Sequence, residues 1–110
     1  MFDIGEQSAF LSGNFTIIEM NNKYIELKSN ATSQYWLVRK FDTDGYPPVV
    51  LYHRHNNKEH YHVHFVYAQD NALLPYTEIV KHDKYILKRD AKRKATTQLS
   101  NNMLVSAAFV

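Results

Sequence analysis

The chain has 110 residues, 45% of them hydrophobic and 14% aromatic, with a formal net charge of +2; this suits one modest core and excludes both two domains and a disordered polymer. It contains no cysteine, which excludes disulfides and thiolate metal sites. No run approaches the roughly 20 apolar residues needed to cross a bilayer, and Asp3 and Glu6 stand where a secretory signal would carry Lys or Arg, so a cytoplasmic protein without a membrane partner is expected.

Residues 1–13 form an N-terminal segment to which no element is assigned. Residues 14–20 (NFTIIEM) and 23–29 (KYIELKS) flank Asn21-Asn22, and because Asn tolerates positive φ this predicts a two-residue hairpin turn. That register sets Thr16, Ile18 and Met20 on one face with Lys23, Ile25 and Leu27, and Phe15, Ile17 and Glu19 on the other with Tyr24, Glu26 and Lys28. Both faces carry apolar residues, so each should be partly covered. A polar break at residues 30–33 precedes a third strand over residues 34–41 (QYWLVRKF), rich in aromatic and β-branched types. Asp42-Thr-Asp-Gly45 reads as a turn. Pro47 and Pro48 cannot donate to a ladder, so the fourth strand begins at or after Val49.

Residues 49–67 (VVLYHRHNNKEHYHVHFVY) hold five of the six histidines in two β-type runs around a polar turn. An even turn centred on Asn57-Lys58 sets His55 against His60, His53 against His62 and Leu51 against His64. At period two, His53, His55, His60, His62 and His64 then share one face, expected to meet solvent, while Val50, Tyr52, Tyr61, Val63, Phe65 and Tyr67 contribute to the core. A one-residue slip would divide the histidines between the faces. Beyond a loop at residues 69–71, Pro75 opens a short helix with Tyr76, Ile79 and Val80 on one face. Asp83 falls where that face needs an apolar residue, so the helix is expected to end near His82, followed by a sixth strand over residues 84–88; a continuous helix to Lys94 is the alternative. Residues 91–102 are polar and basic, expected to be mobile, and residues 103–110 (MLVSAAFV) could dock on the domain or on a second copy, as in a homodimer. The fold class is α+β, mainly β: a single-domain antiparallel meander of about five strands with one short helix after the hairpin.

Charge is polarised: residues 81–94 hold seven basic and two acidic residues, a local balance of +5 that leaves −3 for the rest. Such a segment steers towards a polyanion or an acidic protein surface, though a solvated face without a partner has the same composition. For the histidine face the readings are polar residues on the wet side of a sheet, a site for a divalent metal such as Zn²⁺ held by three imidazoles with water in the open position, or an acid–base pair. In a metal-independent ribonuclease of the small toxin type, His53, His62, Arg54 and Lys58 would do the chemistry, although Arg54 should point away from the histidines.

His62-Val63-His64 followed by Tyr85-Ile-Leu-Lys88 resembles the His-hydrophobic-His and Tyr-x-x-Lys motifs of rolling-circle replication and relaxase endonucleases. The resemblance implies His62 and His64 as ligands of a divalent metal, Tyr85 as the nucleophile and Lys88 as a phosphate-facing cation. It covers seven residues, with 21 positions separating His64 from Tyr85.

The reading that needs fewest coincidences is a small non-enzymatic binding protein, of the accessory or inhibitor kind carried by phages and mobile elements, acting on a nucleic-acid-processing partner. Tyr35, Trp36, Tyr46, Tyr52 and Tyr61 are its candidate contacts, since Tyr and Trp concentrate interface energy. Arg54 and Lys58 at the hairpin, and Lys88, Arg89, Lys92, Arg93 and Lys94 beyond it, would supply charge towards a protein or nucleic-acid partner.

Overall fold

The computed structural model describes the backbone of residues 1–108 and the side chains of residues 1–99. Two helices, α1 (Ile4–Phe10) and α2 (Leu73–Ala108), bracket five strands: β1 (Phe15–Met20), β2 (Tyr24–Ser29), β3 (Tyr35–Lys40), β4 (Val49–Arg54) and β5 (His62–Tyr67). The strands form one antiparallel sheet in chain order, so β1 and β5 are its edges. The expected five-stranded meander is therefore present. β4 begins at Val49, directly after the two prolines, and Gly45 of the preceding turn has φ +85.

Alternation divides the sheet. Ile25 and Leu27 of β2, Trp36 and Val38 of β3, and Leu51 and His53 of β4 are buried and pair with one another across the strands, and Val49, opposite Lys40, is buried on the same face. Ile79 and Ile86 of α2 are also buried, and Phe10 of α1 meets Phe15 and Tyr76 at ring separations of 6.1 and 5.6 Å. One face of the sheet is thus the core, roofed by α2 and closed at one end by α1.

Four expectations are corrected. Residues 1–13 contain α1, announced by a capping box: Asp3 Oδ1 accepts from the Glu6 N–H and Glu6 Oε1 accepts from the Asp3 N–H. The β1–β2 register differs from the two-residue turn. Asn21 Oδ1 accepts from the N–H groups of Lys23 and Tyr24, and a bulge between Ile17 and Glu19 brings Ile17 opposite Leu27 and Met20 opposite Ile25. Phe15, Ile17 and Met20 therefore join Ile25 and Leu27 on the core side.

The helix after the hairpin does not stop near His82, and residues 84–88 are not a strand; α2 runs unbroken through them and through residues 91–102. Asp83 can face inward because the sheet offers it polar partners. Its carboxylate accepts from Ser29 Oγ at 2.6 Å and Thr32 Oγ1 at 3.0 Å, which satisfies a buried charge without a helix break. The expected docking of residues 103–110 concerns side chains outside the described residues. Among the described residues no helix is long and apolar enough to cross a membrane.

Candidate functional site

The pairing of His53 with His62 is as the even turn requires, but a bulge between Leu51 and Tyr52 sets Phe65, and not His64, opposite Leu51. An extra residue on β5 lets neighbouring side chains share a face: His64 and Phe65 both lie on the α2 side, where His64 meets Glu78 and Phe65 meets Tyr67. His55 and His60 lie outside the strands and are exposed.

The larger correction is which face these residues occupy. His53 follows Leu51 at period two and pairs with Trp36, so it belongs to the core side and is 3% exposed. The histidine face is the one α2 covers. Tyr52, Tyr61 and Val63, expected in the core, stand on the other side. Single-strand periodicity sorts residues into two sets without saying which set is wet.

Around His53 the rings form a cluster that α2 completes. Trp36 lies 4.1 Å from His53, 5.1 Å from His64 and 5.0 Å from His82 between ring centroids. His53 is itself 4.9 Å from His55, 5.3 Å from His62 and 5.1 Å from His82. His82, absent from the sequence-based set, is thus brought in by the unbroken helix. His53 Nε2–H donates to Gln34 Oε1, leaving the lone pair on Nδ1. Burial first, and then the neighbouring imidazoles led by His82, hold His53 down to about 3. Burial likewise lowers His82, with His64 adding to it. The contacts are largely edge to face, and among the described residues no group of three or more His, Asp or Glu side chains is set to hold a metal ion. Among the described residues Trp36 Nε1 and His82 Nδ1 are buried without a hydrogen-bond partner, so ring packing carries much of the seam around His53.

The uncovered face carries polar aromatic residues in cross-strand rows. Lys28, Tyr35 and Arg54 form one, Glu26, Leu37, Tyr52 and Val63 the next, and Tyr24, Arg39, Val50 and Val66 the third. The Arg54 guanidinium sits 4.8 Å from the Tyr35 ring and 4.4 Å from the Tyr61 ring. Glu26 accepts from the Tyr61 hydroxyl at 2.9 Å and lies 3.6 Å from Arg54. Burial, reinforced by Glu26, pushes the Tyr61 phenol well above its usual value, so it remains a hydroxyl donor. The result is an aromatic and cationic ridge whose members contact one another.

No family model, curated protein or solved structure matches this chain.

The structure separates the other candidate residues. Arg54 and Tyr61 meet on the ridge, whereas Lys58 is exposed in the hairpin loop. Trp36, a candidate contact, is fully buried, and Tyr46 stacks on Phe41 in the β3–β4 loop, 5.5 Å between centroids. Tyr85 and Lys88 are exposed on α2, together with Lys92, Arg93 and Lys94; Arg89 is half-buried and paired with Asp90. Sequence reading missed Tyr24, Glu26 and Arg39 as members of the open face. Their signal was present in the alternation of β2 and β3, but assigning the wet side required knowing where α2 lies.

Proposed function

We propose that this chain is a non-enzymatic binding protein, of the accessory or inhibitor kind, that occupies the surface of a nucleic-acid-processing protein with the uncovered face of its sheet. The observation that carries this reading is the one-sided cover. Buried His53, with His64 and His82 half-buried around Trp36, lies in the seam between α2 and the sheet, while Tyr24, Tyr35, Tyr52, Tyr61, Arg39 and Arg54 stand on the face that no element covers among the described residues. Tyr and Arg offer large contact area and directional donors, and they dominate binding energy where interfaces have been dissected. Tyr35, Arg54 and Tyr61 already contact one another, and side chains held by such contacts lose less entropy on association.

A photo-crosslinking residue at position 52 tests this in extracts of the native host. The expected result is one dominant protein adduct, competed by excess unlabelled protein and not by a Tyr35→Ala/Arg54→Ala variant that keeps its fold. Equal competition by that variant, or adducts only from a crosslinker placed in the hairpin loop, would count against the sheet face as the contact.

A further inference from the structure

α2 is longer than the sheet requires. Ile86 is its last buried side chain among the described residues, and every residue from Asp90 to Leu99 is exposed. A helix of 36 residues spans about 54 Å, and its projection accounts for principal extents of 70 × 27 × 25 Å. A helix that buries no face is marginal on its own in water, so what its surface carries is informative.

Lys81, Lys84, Lys88 and Lys92 recur at intervals of three, four and four, which puts them on one stripe opposite Ile79 and Ile86. All four are exposed, and none is in a salt bridge among the described residues. The carboxylates in this stretch are engaged elsewhere, Asp83 by Ser29 and Thr32 and Asp90 by Arg89. Like charges one turn apart, as in Lys84–Lys88 and Lys88–Lys92, disfavour the helix unless an anion lies along them. Past Ile86 the cations are no longer restricted to one side: Arg89 and Arg93 form a second row, and Lys94 lies on a third flank.

That all-round distribution discriminates among anionic partners. An acidic protein surface meets one flank of a helix, and a bilayer surface requires an apolar flank beneath the cations, which residues 88–94 lack. A groove meets both flanks. The DNA major groove, about 12 Å wide, admits an α-helix between two phosphate rows, whereas the deep, narrow major groove of duplex RNA does not. We propose that residues 81–94 of α2 bind double-stranded DNA by lying in the major groove with the lysine stripe on phosphates, independently of base sequence. This surface is separate from the uncovered sheet face, and its function does not depend on that face.

The test is fluorescence anisotropy of the full chain with a labelled DNA duplex across a salt series. Four phosphate contacts predict log affinity falling with log salt at a slope of about −3.6. In Lys84→Gln/Lys88→Gln/Lys92→Gln, whose substitutions are all exposed, the slope should flatten by about 2.7, with helix content by circular dichroism unchanged. Affinity for unrelated duplex sequences should agree within a few-fold, duplex RNA and anionic vesicles should bind at least tenfold more weakly, and Tyr52→Ala should bind DNA as the parent does. Absence of duplex binding, equal binding of RNA or vesicles, or an unchanged slope in the triple variant would each overturn the proposal.

Discussion

His53 shows how a residue suited to surface chemistry becomes a structural one. It donates to Gln34, lies against Trp36, and is faced by His55, His62 and His64 from the hairpin and by His82 from α2; of that helix's carboxylates, Glu78 meets His64 and Asp83 meets Ser29. A folded-state value near 3, against 6.5 for the free side chain, means that below pH 6.5 the unfolded chain binds the proton that the folded chain refuses. Stability is then full above about pH 6.5 and declines as pH falls towards 3, at about 1.4 kcal/mol per unit for one such group. Denaturant unfolding at about pH 8 and about pH 5 should differ by roughly 2 kcal/mol from His53 alone, with the acidic sample less stable. His53→Leu should flatten that dependence; an unchanged slope would mean that His53 is not the group responsible.

At the scale of elements, a polar clamp set within an apolar roof adds to the ring packing that holds α2 on the sheet. Ile79 and Ile86 supply burial, while Asp83 between them is fixed by Ser29 of β2 and by Thr32. Removing one partner from a buried hydrogen-bonded set costs about 1–3 kcal/mol, more than the gain from a typical exposed pair. Asp83→Ala should therefore destabilise the protein by about that amount, measured by urea unfolding, and Ser29→Ala should cost less after Asp83→Ala than in the parent. Additive losses would show that the two side chains do not act together. The same residue explains why the sequence misled about this element: a charge at a core-facing position reads as a break in amphipathicity, and its partners lie 51 and 54 residues earlier.

For the whole molecule, the buried ion pair of Glu6 and Lys40, 2.8 Å apart, ties the chain's beginning to the sheet and to the helix that ends it. Glu6 Oε1 accepts from Lys40 Nζ and Glu6 Oε2 from the Ala72 N–H, and Lys40 also meets Asp70 and the Met1 carbonyl. Burial by itself would lower Lys40, but hydrogen bonds to Glu6 and Asp70 more than reverse it, so its ammonium is held charged. Glu6→Ala leaves that buried cation with only the solvent-facing Asp70 and the Met1 carbonyl, and leaves the Ala72 N–H without its acceptor, so a loss of about 2–4 kcal/mol is expected, a large share of the roughly 5–15 kcal/mol typical of a whole domain. Glu6→Leu/Lys40→Met, which removes both charges, should recover part of it in the same unfolding measurement. A double variant no more stable than Glu6→Ala would mean that the buried ammonium deprived of Glu6 is not the source of the loss.

The sequence alone determined the five-stranded meander up to Tyr67, the start of β4 and the pairing of His53 with His62, because these follow from period-two patterns, prolines and turn residues acting over a few positions. The capping box at Asp3 and Glu6 was equally local and legible, and it was read only for its charge. Which face of the sheet is wet, whether Asp83 ends a helix, and how His82 joins the histidines were decided by tertiary structure. Each depends on where α2 packs. That position is set by partners in β2 and β3 tens of residues away, and no local periodicity encodes it.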